Sequence, residues 1–434
     1  MSAHRLRLRV GPKQLEQLST KDFLWRARGE ASSMQTSLSP RLEELGDVPA
    51  LHVDFVRLAV LVFLVDRSAP RGRGVGVRWD RDLELTVPVS APALWETRAD
   101  DLADVLHVLS GDRWKIDFEQ ERPRRARPVA DVAPAEVVCL FSGGADSLAG
   151  ALLAHAQTGT VPVLVSHWDA NSTSSVQTEL VRQLARLWSD TPEHHRLMIR
   201  RSTRQIGSGL VFPDEKSRRT RSLLFLALGL AVAAVRDAEL WMSENGFTSI
   251  NPPLSPERRG SLTTRTTHPG FLDGLVAVLN DLGLKTDLRN PLERLTKGEV
   301  LAQAAQIVPA GRASELFSMT HSCGKTPWFA GFAQGEPCGL CYGCLVRRGS
   351  FIASGLRDST PYIEWVLRGN SRRPDFVTST RRKTIEAVRY RLDRGFSAED
   401  VLALGLPSRI AVADAVALAN RGLNEMRPVV DSIP

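Results

Sequence analysis

The sequence predicts an α/β protein: a doubly wound parallel sheet, preceded by an α+β unit and followed by a helical tail. Three observations predict it. Short apolar runs alternate with helical stripes between residues 137 and 300, the order that builds a parallel sheet with crossover helices on both faces. Most of these runs are followed by polar residues, and ligands of such sheets sit outside the carboxyl ends of the strands. Residues 119–136, E-Q-E-R-P-R-R-A-R-P-V-A-D-V-A-P-A-E, have prolines, many charges and no period, as a linker does. The expected division is an accessory unit at 1–120, a linker at 121–136, the sheet domain at 137–358 and a helical region at 359–434.

The chain has 434 residues, 43% hydrophobic and 24% charged, which fits a soluble globular protein of two or three domains. The apolar runs Leu58–Val65 and Leu223–Val235 are too short to span a bilayer, so no membrane role is expected. MSAHRLRLRV at the N-terminus lacks the apolar segment of a signal peptide, and the expected location is the cytoplasm. Net charge is +7, which permits a nucleic-acid partner. Basic and acidic residues are interspersed, however, and no basic stripe with interleaved aromatics occurs; nucleic acid is not favoured.

In chain order, His4–Val10 and Trp79–Val89 alternate in hydropathy as half-buried strands do, and Pro88 suggests an edge. Asp54–Val65 reads as a buried helix. Leu102, Val105, Leu106 and Leu109 form a helical stripe, and Trp114–Phe118 alternates again. Beyond the linker the strand candidates are Val137–Phe141, Val161–Ser166, Arg196–Arg201, Glu239–Ser243 and Lys285–Arg289. Helices are expected over Val176–Trp188, Arg221–Val235 and Phe271–Leu282, and the tail carries stripes such as Ile410, Val412, Ala415 and Val416 without chemistry.

The segment S-G-G-A-D-S, residues 142–147, joins the first strand of this sheet to a helix. Such a turn presents amide groups at a helix N-terminus, where the macrodipole favours an anion. Gly143 and Gly144 permit close approach; Ser142 and Ser147 add hydroxyls. A plain Ser/Asp cap is the alternative, but it needs one of these residues rather than five. Further polar groups follow the other strands: S-H-W-D-A-N with His167, E-N-G (Glu244, Asn245, Gly246), and N-P-L-E-R-L-T-K-G-E with Lys297. T-T-R-T-T-H-P, with Arg265, Thr266, Thr267 and His268, is expected as a loop over that edge.

Four of the five cysteines, Cys323, Cys338, Cys341 and Cys344, form C-x14-C-x2-C-x2-C. Four thiolates close a tetrahedral shell around Zn²⁺ with no open position, as in a structural knuckle; Gly339 and Gly343 suit its tight turns. An iron–sulfur cluster is the competing occupant, and His321 is expected as a neighbour.

S-G-G-A-D-S resembles the pyrophosphate loop of the ATP pyrophosphatases, and no Lys follows its glycines as in the G-K-[ST] loop. Together with the cysteine cluster and N-P-L-E-R-L-T-K-G-E-V, the pattern over roughly 136–356 resembles the 7-cyano-7-deazaguanine synthase family, QueC. E-N-G, T-T-R-T-T-H-P and both extensions look more like QueC-like proteins of bacterial antiphage defence, such as QatC and CBASS-associated relatives. The chain departs from the biosynthetic pattern in H-W-D-A-N, in an insertion at 324–337 and in both extensions.

The resemblance implies a HUP-like fold and ATP, Mg²⁺ and Zn²⁺ as cofactors. It implies adenylation of a 7-deazaguanine carboxylate, then transfer to ammonia or to the amine of a partner protein from a defence operon. It places Ser142, Gly143, Gly144, Asp146, Ser147, His167 and Arg219 around the nucleotide. Asp146, Lys297 and Arg221 would be catalytic, with Asp146 near Mg²⁺ and the two cations answering charge on the phosphates. Glu244, Asn245, Gly246, Arg265, Thr266, Thr267 and His268 would face the substrate. A tRNA-modifying ATP pyrophosphatase and a non-catalytic nucleotide-binding scaffold are the alternatives.

Overall fold

The computed structural model describes residues 4–10, 18–19, 21–26, 30–72, 79–121, 132–169, 171–205, 209–215, 217–254, 265–323, 332, 336–369, 376–377 and 379–433. Ten strands are named here: β1 (His4–Val10), β2 (Asp22–Trp25), β3 (Met34–Thr36), β4 (Asp82–Val89), β5 (Arg113–Gln120), β6 (Val137–Leu140), β7 (Val163–Trp168), β8 (His194–Arg201), β9 (Glu239–Trp241) and β10 (Leu288–Arg289). They form two sheets, β2-β1-β4-β5 and β10-β9-β6-β7-β8-β3.

In the first sheet every pairing is parallel. Leu83, Leu85, Val87 and Val89 of β4 are all buried, as the period of two requires. β4 lies inside this sheet, so the edge expected from Pro88 is corrected. The register with β1 ends at Arg7↔Thr86, while that with β5 runs on to Val89↔Gln120. Pro88 therefore has one neighbour, which its missing N–H tolerates.

The second sheet is the predicted doubly wound one. β10, β9, β6, β7 and β8 are parallel, and β3 adds an antiparallel edge through Met34↔Arg201 and Thr36↔Ile199. All four residues of β6 are buried, as a central parallel strand covered on both faces demands. From β6 the chain winds through β7 to β8, then returns to β9 and β10 on the opposite side. The crevice between β6 and β9 is thus the topological switch point, the place where such sheets bind ligands.

The helices Ala50–Asp66 and Arg221–Arg236 are apolar nearly all round because they pack on each other between the sheets. One contiguous apolar core accordingly runs from Leu8 through Leu58, Val165 and Leu226 to Leu284. The linker expected at 121–136 lies largely outside the described residues, as do Thr263, Thr264 and nearly all of the insertion at 324–337. The tail folds as Ser379–Arg394, Ala398–Leu402, Val412–Glu425 and Arg427–Asp431. Val412–Glu425 packs on the helices Gly246–Ile250, Lys297–Ala305 and Tyr342–Ala353. Among the described residues no helix is long and apolar enough to cross a membrane.

Candidate active site

At the switch point, S-G-G-A-D-S forms the turn from β6 into the helix Ala145–Thr158. Gly143 takes a φ of +85°, and a Cβ there would stand 3.3 Å from the Gln177 side chain; glycine is the residue that fits. The Ser147 hydroxyl donates to the Gly144 carbonyl at 2.9 Å, and the Ser142 hydroxyl donates to Ser147 at 3.2 Å. The turn is held from outside by His321, whose backbone N–H donates to the Gly143 carbonyl at 3.0 Å. These contacts form beside a cleft of about 250 Å³ lined in part by Ser142, Gly144, Asp146, Ser147, Glu244 and Lys297.

Below the turn, three segments that follow β6, β9 and β10 meet. Lys297, the first residue of the helix Lys297–Ala305, donates to Asp146 Oδ2 at 2.5 Å. Asn245 Nδ2 donates to the same oxygen at 3.1 Å, while its Oδ1 accepts from the Thr248 N–H and so caps the helix Gly246–Ile250. Glu244 accepts from the Thr248 hydroxyl at 2.6 Å. Burial, then the adjacent Asp146 carboxylate, push the Glu244 carboxyl up to about 8, against the pull of Lys297. Asp146 Oδ1 is buried and has no hydrogen-bond partner, which leaves an unmet demand for a donor or a cation. A divalent cation bound at Asp146 would displace the proton that burial holds on Glu244, and the two carboxyl groups together would then supply hard oxygens of the kind Mg²⁺ takes.

The remaining predicted residues lie elsewhere. β7 runs on to Trp168, so His167 is a strand residue with no exposure. Burial, then Arg221, lower its imidazole to about 4. The neutral ring accepts from Arg221 Nε at 3.3 Å and donates from Nε2 to the Ile199 carbonyl at 3.1 Å. The structure places Arg221 behind the turn: its Nη2 donates to the His167 carbonyl, which also faces Gln177, and Gln177 donates on to the Ser142 carbonyl at 3.3 Å. Arg219 stacks over Trp79 at 4.7 Å, away from the cleft lining. Gly246 is buried, with the Glu293 carbonyl and Leu418 where a Cβ would go. Thr267 accepts from the Ser249 hydroxyl, and His268 Nδ1 caps the helix Pro269–Asp281 by accepting from the Gly270 N–H. Arg265, Thr266, Thr267 and His268 are not among the residues lining the cleft.

The sequence reading missed Ser243, Thr248, Ser322, Gly343 and Val346 as lining residues. Thr248 carried a signal, standing two residues after E-N-G; the others had none. Gly343, expected in a knuckle turn, instead sits in the first turn of the helix Tyr342–Ala353, whereas Gly339 does turn with φ +83°.

The four cysteines converge, with all four sulfurs within 4.8 Å of one another. Cys323–Cys341 and Cys338–Cys344 are each 3.9 Å apart, close to the roughly 3.8 Å edge of a tetrahedron with zinc–sulfur bonds of about 2.3 Å. The Cys341 and Leu340 N–H groups point at Cys338 Sγ, at 3.2 and 3.5 Å, the polar support thiolates require. His321 remains a neighbour and lines the cleft.

A cleft at the switch point of a doubly wound sheet, beside a closed four-cysteine site, defines an α/β chain with a candidate anion-binding turn and a candidate metal site. Comparison narrows this: over about half its length the chain is similar to 7-cyano-7-deazaguanine synthases. It is 27% identical to the synthase 1 of Sphingopyxis alaskensis over 248 residues, 52% of this chain and 97% of that one. It is 29% identical to the synthase of Novosphingobium aromaticivorans over 249 residues, 53% of this chain and 95% of that one. With the synthase of Syntrophobacter fumaroxidans identity is 28% over 151 residues, 33% of this chain and 55% of that relative's length. No family model and no solved structure matches the chain.

Proposed function

We propose that the protein is a QueC-like, ATP-dependent carbon–nitrogen ligase that activates 7-carboxy-7-deazaguanine as an acyl adenylate and passes it to an amine. One observation carries the reading: Asp146, Glu244 and Lys297 converge beneath the S-G-G-A-D-S turn, with Asp146 Oδ1 buried and unpartnered. The similarity to 7-cyano-7-deazaguanine synthases supplies the substrate class.

In this reading the Ser142–Ser147 turn receives the β- and γ-phosphates, where amides and hydroxyls stabilise the leaving pyrophosphate. The substrate carboxylate oxygen bonds to the α-phosphorus as the α–β bridging bond breaks. Asp146 and Glu244 would hold Mg²⁺, which neutralises phosphate charge when bound. Lys297 orients Asp146 and adds a fixed cation. The amine then attacks the acyl carbon and AMP leaves. Ammonia gives a primary amide, which a second ATP can dehydrate to the nitrile. A protein's α-amine gives a secondary amide, which ends there. The resemblance to defence-associated proteins favours the protein amine, in a cytoplasmic complex.

The test is pyrophosphate release from ATP with and without 7-carboxy-7-deazaguanine, followed by mass spectrometry of the products and of candidate partner proteins. Release that requires the acid supports the reading. Release driven by tRNA instead, or absent with every acid tested, overturns it.

A further inference from the structure

The helix Val412–Glu425 lies in a tail without a motif, yet its last residue reaches the site. Thr296 and Gly298, the residues on either side of Lys297, both bind Glu425. The Thr296 hydroxyl donates to Glu425 Oε1, and the Gly298 N–H donates to both carboxylate oxygens at 3.1 and 3.0 Å. The same Thr296 oxygen accepts from the Glu299 N–H at 3.2 Å while Glu299 accepts from the Thr296 N–H at 2.8 Å. The capping box is therefore complete without Glu425, and the tail's carboxylate is a second anion on this helix N-terminus.

Both sides of the contact are shaped for it. A Cβ on Gly298 would stand 2.5 Å from Glu425 Oε1 and 2.8 Å from Ala353, and one on Gly349 would strike the Glu425 carbonyl. On the tail, a Cβ on Gly422 would run into the Phe247 ring, three residues after Glu244. Arg421 donates to Glu299 at 2.8 Å and to the Arg294 carbonyl at 3.1 Å. One tail helix thus grips both segments that deliver Glu244, Asn245 and Lys297 to Asp146.

We infer that the helix Val412–Glu425 is a clamp that sets the position of Lys297 against Asp146, with Glu425 as the positioning residue. This rests on the proposed reaction for its functional consequence. Glu425 bonds to the Thr296 hydroxyl and the Gly298 N–H, which flank Lys297 and do not themselves line the cleft, so its effect on the site passes through Lys297. An interaction felt mainly in the transition state changes kcat more than KM.

The experiment compares full-length wild type, Glu425→Gln and Glu425→Ala for acid-dependent pyrophosphate release, melting temperature, and labelling of Lys297 by an amine-directed reagent read by mass spectrometry. The expected result is a kcat lowered on the order of 10-fold or more in Glu425→Ala, with KM for ATP moved less than about threefold. Glu425→Gln, which keeps an acceptor oxygen, should recover most of the loss. Lys297 labelling should rise in Glu425→Ala while the chain stays folded. Wild-type kcat and labelling in a folded Glu425→Ala overturn the inference, as does a loss of kcat with Lys297 labelling unchanged. Labelling needs no turnover, so an inactive wild type would sink the proposed reaction while leaving the clamp testable.

Discussion

At the scale of the residue, the site turns on one oxygen. Asp146 Oδ2 is shared by Lys297 and Asn245 while Oδ1 has no partner. Glu244 stands close enough to Asp146 for the two charges to oppose each other. Removing the ammonium takes away the cation that draws Glu244 down, so its carboxyl is pushed higher still and the pair gives up a proton to a cation less readily. Lys297→Met, matched in length and apolar, should therefore lower pyrophosphate release by about 10²–10³-fold, the scale of losing one electrostatic stabiliser. Steady-state release assays check it; a variant within a few-fold of wild type would remove Lys297 from the machinery. Asp146, Lys297 and the turn serines were legible because S-G-G-A-D-S and T-K-G-E are local patterns. The cap made by Asn245 was half legible: E-N-G marked it as polar, but its hold on Asp146 is a contact across 99 positions.

At the scale of the element, the helix Ala50–Asp66 ends on a carboxylate that links Arg81, just before β4, to the start of the helix Arg221–Arg236. Asp66 Oδ1 accepts from Arg81 at 2.6 Å and from Arg71 at 3.4 Å; Oδ2 accepts from the Thr220 hydroxyl at 3.2 Å. Thr220 is the N-cap of the helix Arg221–Arg236 and makes no cap bond with its own side chain, so Asp66 serves that end instead. Burial works to raise the Asp66 carboxyl, but Arg81 foremost and then Ser217 and Arg71 outweigh it and hold the carboxyl below its ordinary 3.8. A depressed carboxyl contributes stability above its unfolded-state pKa and loses it as pH falls through the folded value. Asp66→Asn should destabilise the chain at pH 7 by about 3 kcal/mol, the order for breaking a buried ion pair. The gap to wild type should narrow only below pH 3.8. Urea melts at pH 7 and below 3.8 check this, and a gap that is the same at both would show that Asp66 acts by packing alone. The apolar runs foretold both helices here; the ion pairs of Asp66 with Arg81 and Arg71 were invisible, since Arg and Asp recur throughout the chain. β3 escaped notice for a related reason, because three residues are too few to show a period.

At the scale of the whole molecule, the doubly wound parallel sheet was readable from the alternation of runs and stripes, and so was a site beyond the carboxyl ends of its strands; the strand order and its switch point came only with the fold. What the pattern could not carry was closure. β7 outruns its apolar stretch because a neutral His167, satisfied at both ring nitrogens, behaves as a core residue. The tail looked chemically blank because Glu425 is one acid among many until folding seats it on the Lys297 helix. The cysteine site closes the opposite wall. His321 and Ser322 precede Cys323, while Gly343 and Val346 flank Cys344, and all four of these non-cysteine residues line the cleft. His321 also holds the Gly143 carbonyl. A metal that fixes Cys323 to Cys344 thereby fixes the turn that receives the phosphates. The thiol spacing fits zinc, so elemental analysis should give one zinc and no iron per chain, without the visible absorption of a cluster. Cys344→Ser opens the shell, and because four thiolates make a structural site whose binding energy is folding energy, it should lower both metal content and melting temperature. It should also abolish pyrophosphate release, since the wall and the turn move together. A folded Cys344→Ser chain that is free of zinc yet fully active would show that the metal and the cleft are independent, and that the wall stands on its apolar packing alone.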